Sequence, residues 1–201
     1  MGFLKGIFGS SKNEVWKQLA EELGGEFIEG GFFKTDKVNA NMRAWTITLD
    51  TYTVSHGKTS STYTRIIAPF VNNKDFKFKV YKKGFFSDVG KMLGMQDIEI
   101  GIEDFDENYI IKGNNEGLIK ELLCKEDVRL LITQQPKISI EIKDKLGFFD
   151  KTPEEADILY FEEAGVLKDL ERLKKIFLLF ASILNNLYSL GVTSEENPNI
   201  K

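Results

Sequence analysis

The stretch Trp45-Thr46-Ile47-Thr48-Leu49-Asp50 decides the fold class, because apolar and polar residues alternate along it with a period of two. Such alternation is typical of a β-strand with one face against a core and the other face in water. The same pattern returns at Phe76–Tyr81, where three apolar residues alternate with Lys77, Lys79 and a tyrosine. The segment 26–83 therefore predicts an antiparallel meander.

Further segments extend this pattern and add helices. Short strands are predicted at 98–102, 109–112, 138–142 and 158–161. Helices are predicted from Asn13, as the N-cap, to Gly24; from Asn114 or Asn115 through Leu123; around 128–132; and from Gly165 or Val166 to Leu190. We expect an α+β fold, a curved antiparallel β-sheet of six to eight strands with a long C-terminal helix and an N-terminal helix packed on it.

The closing helix carries two apolar stripes in its later half. Its first stripe runs at alternating spacings of four and three along the whole helix, whereas Leu179 and Ile183 belong to a second stripe that starts near Ile176. The later half therefore needs cover on two sides. The N-terminal helix or a second copy of the chain could supply that cover, so a homodimer through the back half of the C-terminal helix is one prediction.

The composition narrows the possible classes of protein. We expect a single domain over 1–201, with flexible ends at 1–12 and 191–201. One cysteine, Cys124, and one histidine, His56, exclude an internal disulfide and a structural zinc site built from such ligands. A formal net charge of −4 argues against nucleic acid as a partner. No signal peptide or transmembrane segment is predicted, so we expect a cytoplasmic location.

The segment Phe105-Asp106-Glu107-Asn108-Tyr109-Ile110-Ile111-Lys112-Gly113-Asn114 leads into the helical leucine pair Leu122-Leu123. This arrangement resembles bacterial cytoplasmic proteins of unknown function, in which a strand beginning Phe-Asp leads through a polar turn into a helix. The resemblance covers about 30 residues. It implies a fold unit and no reaction, so no catalytic residue follows from it.

Candidate catalytic residues are few. His56 lies among small polar residues in the predicted loop 55–61, without a neighbouring carboxylate to orient it, so a solvated turn is favoured over nucleophilic catalysis. Cys124 follows a helix end without a histidine nearby, which favours a structural thiol. The sequence predicts no catalytic residue and no cofactor.

The acidic segment 97–107 allows two interpretations. Asp104, Asp106 and Asn108 match the first half of a calcium-binding loop, but the glycine and the glutamate of the second half are missing. The alternative is that these acids face Lys77 and Lys79 on an adjacent strand of the sheet. A metal-assisted hydrolase using 97–107 is thus an alternative function, although we predict no metal ligand.

Aromatic residues are the most unusual feature, with 16 phenylalanines in 201 residues. The triplet Gly-Phe-Phe occurs three times, and adjacent side chains in an extended segment point to opposite faces, so one phenylalanine of each pair has no direct route to the core. We predict a partner-binding surface at or near these triplets, made of Phe32, Phe33, Phe85, Phe86, Met92, Met95, Phe148 and Phe149.

These features favour a non-catalytic binding or protein-interaction module with an aromatic contact surface. The partner would be a protein, and the methionines near the second triplet suit a surface that repacks around it. A small acidic immunity or inhibitor protein that neutralises a basic toxin is a further alternative, because the chain is acidic and short.

Overall fold

The computed structural model describes residues 10–31, 34–84, 95–144, 156–196 and 198. Within them nine strands form one sheet in the spatial order β1-β2-β3-β4-β9-β8-β5-β7-β6, and every neighbouring pair is antiparallel. The strands are β1 Glu26–Ile28, β2 Lys37–Met42, β3 Trp45–His56, β4 Thr59–Val71, β5 Phe78–Lys82, β6 Gln96–Asp97, β7 Tyr109–Gly113, β8 Ser139–Lys143 and β9 Ala156–Ala164. The predicted antiparallel α+β architecture is confirmed, with nine strands in place of six to eight.

Five helices accompany the sheet in the described residues. They are α1 Lys12–Leu23, α2 Glu103–Asn108, α3 Glu116–Leu123, α4 Glu126–Thr133 and α5 Leu170–Ser189. All five contribute to a single core cluster with the apolar residues of one sheet face. We call the opposite face of the sheet the outer face. None of the described helices is both long enough and apolar enough to span a bilayer.

The N-cap of helix α1 lies two residues before the one that its sequence suggested. Ser11 is the N-cap in place of Asn13, because its hydroxyl accepts a hydrogen bond from the backbone N–H of Glu14 while the Glu14 carboxylate accepts one from the Ser11 backbone. This capping box satisfies two N–H groups that the helix leaves unpaired. The predicted end at Gly24 is confirmed, since Gly24 adopts the left-handed conformation with φ of 62°.

The longest hairpin joins β3 to β4. The alternation that predicted β3 is confirmed, because Trp45, Ile47 and Leu49 are buried in the core. The predicted loop 55–61 is wrong, however. The two strands stay paired up to His56 and Thr59, and a two-residue turn joins them at Gly57, whose φ is 76°. Only a glycine adopts this conformation without strain, so the tight turn depends on it.

Strand β9 lies in the middle of the sheet although it comes late in the chain. It pairs with β4 along eight residues of each strand, from Thr64↔Glu163 to Val71↔Ala156, and with β8 on its other side. Its residues from Ala156 to Phe161 are buried on both faces. Two buried faces suit the apolar run that predicted a strand here.

The lysine-bearing strand and the acidic segment are not direct neighbours, contrary to our expectation. β7 lies between β5 and β6, so Asp97 faces Lys112, with 3.4 Å between Nζ and the carboxylate. Lys79 pairs with Glu141 of β8 at 3.3 Å. Lys79, Lys112 and Asp97 still share one face, because they occupy the same cross-strand row.

Lys77 and the segment 98–102 also differ from the prediction. Lys77 forms an ion pair with Asp157 at 2.6 Å and another with Asp144. The strand predicted at 98–102 is wrong, since β6 comprises only the two preceding residues, Gln96–Asp97, and Glu103 begins helix α2. The alternating isoleucines are nevertheless apolar contacts of the core, which explains why their spacing imitated a longer strand.

Helix α5 is covered on both of its apolar stripes within one chain. Leu179 and Ile183 are fully buried, as the two-stripe pattern predicted. Helices α1, α3 and α4 all contact α5 and provide the second layer of cover. The apolar pattern of α5 therefore gives no reason to invoke a second copy of the chain.

The first residues of the expected flexible end 191–201 are packed. Val192 is fully buried, and its carbonyl accepts a hydrogen bond of 2.8 Å from the Asn73 backbone N–H. Thr193 forms an isolated antiparallel bridge with Asn72. This contact fixes the chain after α5 beside the end of β4.

Two adjacent leucines of α5 test this arrangement. Leu179 is fully buried, whereas Leu178 is 52% exposed. We expect Leu179→Ala to lower the free energy of unfolding by roughly 3 kcal/mol, because it empties a packed site. Leu178→Ala is the matched control and should change the free energy by less than about 0.5 kcal/mol. Denaturant titration measures both, and equal losses would contradict the described packing of α5.

Candidate functional site

The predicted aromatic contact residues lie almost entirely outside the described residues. Met95 is the exception, and it is half-buried directly before β6. The seven that lie outside the described residues are Phe32, Phe33, Phe85, Phe86, Met92, Phe148 and Phe149. Their role as a contact surface stays a prediction.

The two candidate nucleophilic residues are isolated in space. His56 is exposed at the last position of β3, beside the two-residue turn. Cys124 is an exposed free cysteine at the end of α3. Neither makes a hydrogen bond to an orienting side chain among the described residues, so neither resembles an activated nucleophile.

The acidic segment is organised by one carboxylate that binds backbone. Asp106 accepts hydrogen bonds from the backbone N–H groups of Ile100 at 3.0 Å, Gly101 at 2.8 Å and Ile102 at 3.1 Å. The turn before α2 therefore wraps around this side chain. Across the described ranges, no group of three or more histidine, cysteine or acidic residues is arranged to hold a metal ion.

The outer face of the sheet brings together side chains from β3, β4 and β9. Tyr52 and Tyr63 lie opposite each other, with ring centroids 5.3 Å apart and planes inclined by 18°. In the next cross-strand row, Arg65 makes two hydrogen bonds to the buried carboxylate of Asp50, at 2.8 and 2.7 Å. The Arg65 guanidinium also lies 5.3 Å from the centre of the Tyr52 ring.

Glu162 of β9 is the acceptor at the centre of this arrangement. Its Oε2 atom accepts hydrogen bonds of 2.5 Å from the hydroxyls of both Tyr52 and Tyr160. The Tyr160 ring in turn lies under the Lys143 ammonium group, 3.5 Å from the ring centroid. We call Tyr52, Tyr63, Arg65, Tyr160 and Glu162 the tyrosine–glutamate cluster.

The protonation states of the cluster follow from burial and these hydrogen bonds. Burial, assisted by the hydrogen bond to Glu162, raises the pKa of Tyr52 to about 12 and raises that of Tyr160 further. Burial alone would raise the pKa of Glu162, but the hydrogen bonds from Tyr160 and Tyr52 and the nearby Lys143 hold it below its usual value. At neutral pH both hydroxyls are therefore protonated and the carboxylate is ionised.

A cleft of about 310 Å³ opens beside the cluster, where β8 begins and β9 ends, next to Tyr63 of β4. Its lining residues are Tyr63, Lys137, Ile138, Ser139, Glu162, Glu163 and Ala164. The volume lies at the lower end of the range typical for ligand sites. Tyr63 and Glu162 connect the cleft directly to the tyrosine–glutamate cluster.

The arrangement offers one free acceptor next to an aromatic surface. Both tyrosine hydroxyls bind Oε2 of Glu162, and Oε1 makes no hydrogen bond to another described residue. An N–H or O–H group that entered the cleft could therefore donate to Oε1 while its apolar part contacted the half-buried Tyr63 ring. Such a combination fixes the orientation of a bound group without reacting with it.

Sequence reasoning missed the tyrosine–glutamate cluster. Its members come from strands separated by about 100 residues in the chain, and no local motif joins them. One signal was present in β9, where Tyr160 and Glu162 share one face of a strand whose segment 158–161 is otherwise apolar. Polar residues at alternate positions of a strand buried on both faces indicate a hydrogen-bonded network.

Comparison with known proteins identifies a fold relative and no family. No family model matches the chain, and no curated protein matches it. Among solved structures, the mycobacterial trehalose monomycolate transport factor A, TtfA, is similar, with a TM-score of 0.51 over 88% of this chain and 94% of that one. The two sequences are 9% identical, so this likeness shows a shared fold alone.

The role of Asp106 can be tested by substitution. We expect Asp106→Ala to lower the free energy of unfolding by about 2 kcal/mol, because three backbone N–H groups lose a charged acceptor. Asp104→Ala removes a neighbouring exposed carboxylate and is the matched control, with a change below about 0.5 kcal/mol. A melting temperature that rises on adding Mg²⁺ or Mn²⁺, and does so only with Asp106 present, would contradict this structural role.

The raised pKa of Tyr52 predicts a difference in alkaline titration. Tyr52→Phe should remove one phenolate absorbance step centred near pH 12 rather than near the ordinary 10.0. Because the folded-state pKa is the higher one, Tyr52 contributes stability that is complete below pH 10 and is lost as the pH rises through 12. The variant should therefore lose less stability across that window. Circular dichroism checks that both proteins stay folded. If the absorbance step that the variant lacks is centred near pH 10, the buried network is refuted.

Proposed function

We propose that this chain is a non-catalytic binding module that holds a protein partner on the outer face of its sheet, at the tyrosine–glutamate cluster. The observation that carries the proposal is the pair of tyrosine hydroxyls bound to one oxygen of Glu162, a residue that also lines the cleft and whose other oxygen makes no hydrogen bond to another described residue. The half-buried rings of Tyr52 and Tyr63 supply the apolar contact next to this acceptor.

Proton-transfer chemistry at this site is disfavoured by its protonation states. A general acid or base works best when its pKa is near the pH of the reaction. Here the pKa of Tyr52 is raised to about 12 and that of Glu162 is held below its usual value, so both move away from neutrality. The network therefore keeps fixed protonation states, which suits recognition better than catalysis.

A protein partner fits the chemistry of the surface. Tyrosine and arginine are enriched at protein interfaces, where a ring gives contact area at a small cost in side-chain entropy. The charges near the cluster are already paired within the chain, Arg65 with Asp50 and Lys79 with Glu141. The surface therefore offers no concentrated charge of one sign, and this makes the alternative of an inhibitor that neutralises a basic toxin less favoured.

Other features are consistent with the proposal and add context to it. The Asp106 carboxylate already accepts three hydrogen bonds from backbone N–H groups. This weakens the alternative of a hydrolase that uses the acidic segment. TtfA is named as a transport factor, and a fold that serves such a role there is compatible with a binding module here, although fold alone does not decide function.

We also propose that the Gly-Phe-Phe segments contribute to partner contacts and that the chain acts in the cytoplasm.

Site-specific photo-crosslinking in cells that express the chain natively tests the proposal. A photoreactive phenylalanine analogue replaces Tyr63 at the cluster or, as the matched control, Leu178, which is exposed on helix α5. We expect a discrete protein adduct from position 63 and none from position 178. Glu162→Gln should reduce the yield of that adduct at least about fivefold, which corresponds to the roughly 1 kcal/mol of one hydrogen bond.

Two results would contradict the proposal. One is an absence of adducts from position 63 at an expression level where the protein is folded. The other is the same set of adducts from positions 63 and 178, which would indicate contacts made without regard to the cluster.

A further inference from the structure

The β3–β4 hairpin extends beyond the strand that flanks it. β2 pairs with β3 only as far as Val38↔Leu49, whereas the pairing of β3 with β4 continues to His56↔Thr59. The outer half of β3 thus has β4 on one side and no described strand on the other. We call its segment 51–55 the β3 edge.

The direction of the backbone groups along this edge follows from the turn. In a hairpin with a two-residue loop, the residues that close the loop exchange both of their hydrogen bonds, and the next pair along points away. His56 and Thr59 close the loop here, so Thr53 and its partner Thr62 point outward. The backbone confirms this alternation, because the Thr62 carbonyl accepts a bond of 2.7 Å from Gly165 on the far side of β4.

The backbone N–H and C=O groups of Thr51, Thr53 and Ser55 therefore point away from β4. None of them bonds to another residue within the described part of the chain. Thr53 and Ser55 are exposed, whereas the Thr51 side chain is buried against the core face. The Thr53 hydroxyl is paired with that of Thr62 at 3.0 Å. The edge thus presents a row of backbone donors and acceptors, and its backbone is already in a strand conformation.

This edge lacks the features that usually protect an open strand. Exposed edges are commonly short or interrupted by proline, lysine or a bulge. The two terminal strands of the sheet follow that rule, since β1 has three residues and β6 has two. The β3 edge instead runs Thr-Tyr-Thr-Val-Ser, a sequence rich in β-branched and aromatic residues that favour strand pairing.

We propose that the β3 edge pairs with the same edge of a second copy of this chain. The two edges would run antiparallel around a twofold axis, with Thr53 facing the partner's Thr53. This register also places Thr51 opposite the partner's Ser55, so all outward-pointing groups meet. Pairing ends at Thr51, because β2 begins beside the next residue of β3.

Side-chain complementarity supports this occupant over an unrelated strand. In the proposed register Tyr52 lies opposite the partner's Val54, and symmetry repeats that contact. Aromatic residues opposite β-branched ones, and threonine opposite threonine or serine, are favourable cross-strand pairs. Tyr52 and Val54 are both half-buried in the single chain, so the dimer would cover apolar surface that they leave exposed. The inference does not depend on the proposed binding function.

Cysteine crosslinking tests both the contact and its register. In a Cys124→Ser background, Thr53→Cys should form a disulfide-linked dimer on mild oxidation, because directly opposite residues have Cα atoms about 5.5 Å apart, within the range of a disulfide. Ser55→Cys alone is the matched control, because Ser55 is exposed as Thr53 is. It would lie about 13 Å from its own copy along the strands and should remain monomeric.

A second variant measures the unlinked dimer. Thr53→Lys places like charges across the twofold axis, so its mass in solution should fall from that of two chains to that of one, with the melting temperature of the dilute protein unchanged. A wild-type chain that stays monomeric at high concentration would overturn the proposal. Crosslinking of Ser55→Cys alone as readily as Thr53→Cys would also overturn it, since that outcome requires another register.

Discussion

The pairing of β4 with β9 is the contact on which the rest of the structure depends. Strands β1 to β4 form a sequential meander, and β5 to β8 form the other half of the sheet. β9 lies between the two halves and bonds to both, through β4 on one side and β8 on the other. Burial on both faces makes this strand the centre of the core as well as of the sheet. The tyrosine–glutamate cluster exists only because this pairing brings Glu162 beside Arg65 and within reach of Tyr52.

The sequence predicted those features that depend on residues close together in the chain. The alternation at Trp45–Asp50 identified β3, Gly24 ended α1 where expected, and the two stripes of α5 showed that this helix needed cover on two sides. In each case the relevant physics is local, because a strand or helix exposes its apolar positions at a fixed period. These predictions required no knowledge of which element lies next to which.

The sequence could not predict the features that depend on the choice of neighbour. Alternation assigned Lys79 and Asp97 to one face of the sheet, but it contains no information about the strand that lies between theirs. Similarly, the alternating isoleucines at 98–102 suggested a strand, whereas the Asp106 carboxylate binds the backbone of that segment and a helix follows. The candidate site was missed for the same reason, since Tyr52 and Glu162 have no relation in sequence. Local periodicity shows which face of a strand or helix is buried, but it does not determine the order of the strands in the sheet.

The late position of β9 in the chain also has a consequence for biosynthesis. Val71 and Ala156 are the closest in sequence of the residues that β4 and β9 pair, so β4 leaves the ribosome long before its neighbour does. Until then the nascent meander carries an unpaired central edge with apolar residues such as Ile66 and Phe70 on one of its faces. Long-range strand pairing of this kind slows folding and exposes intermediates to aggregation. We therefore expect the growing chain to be prone to aggregation until β9 emerges, so its yield on expression should depend on how quickly translation delivers the last quarter of the sequence.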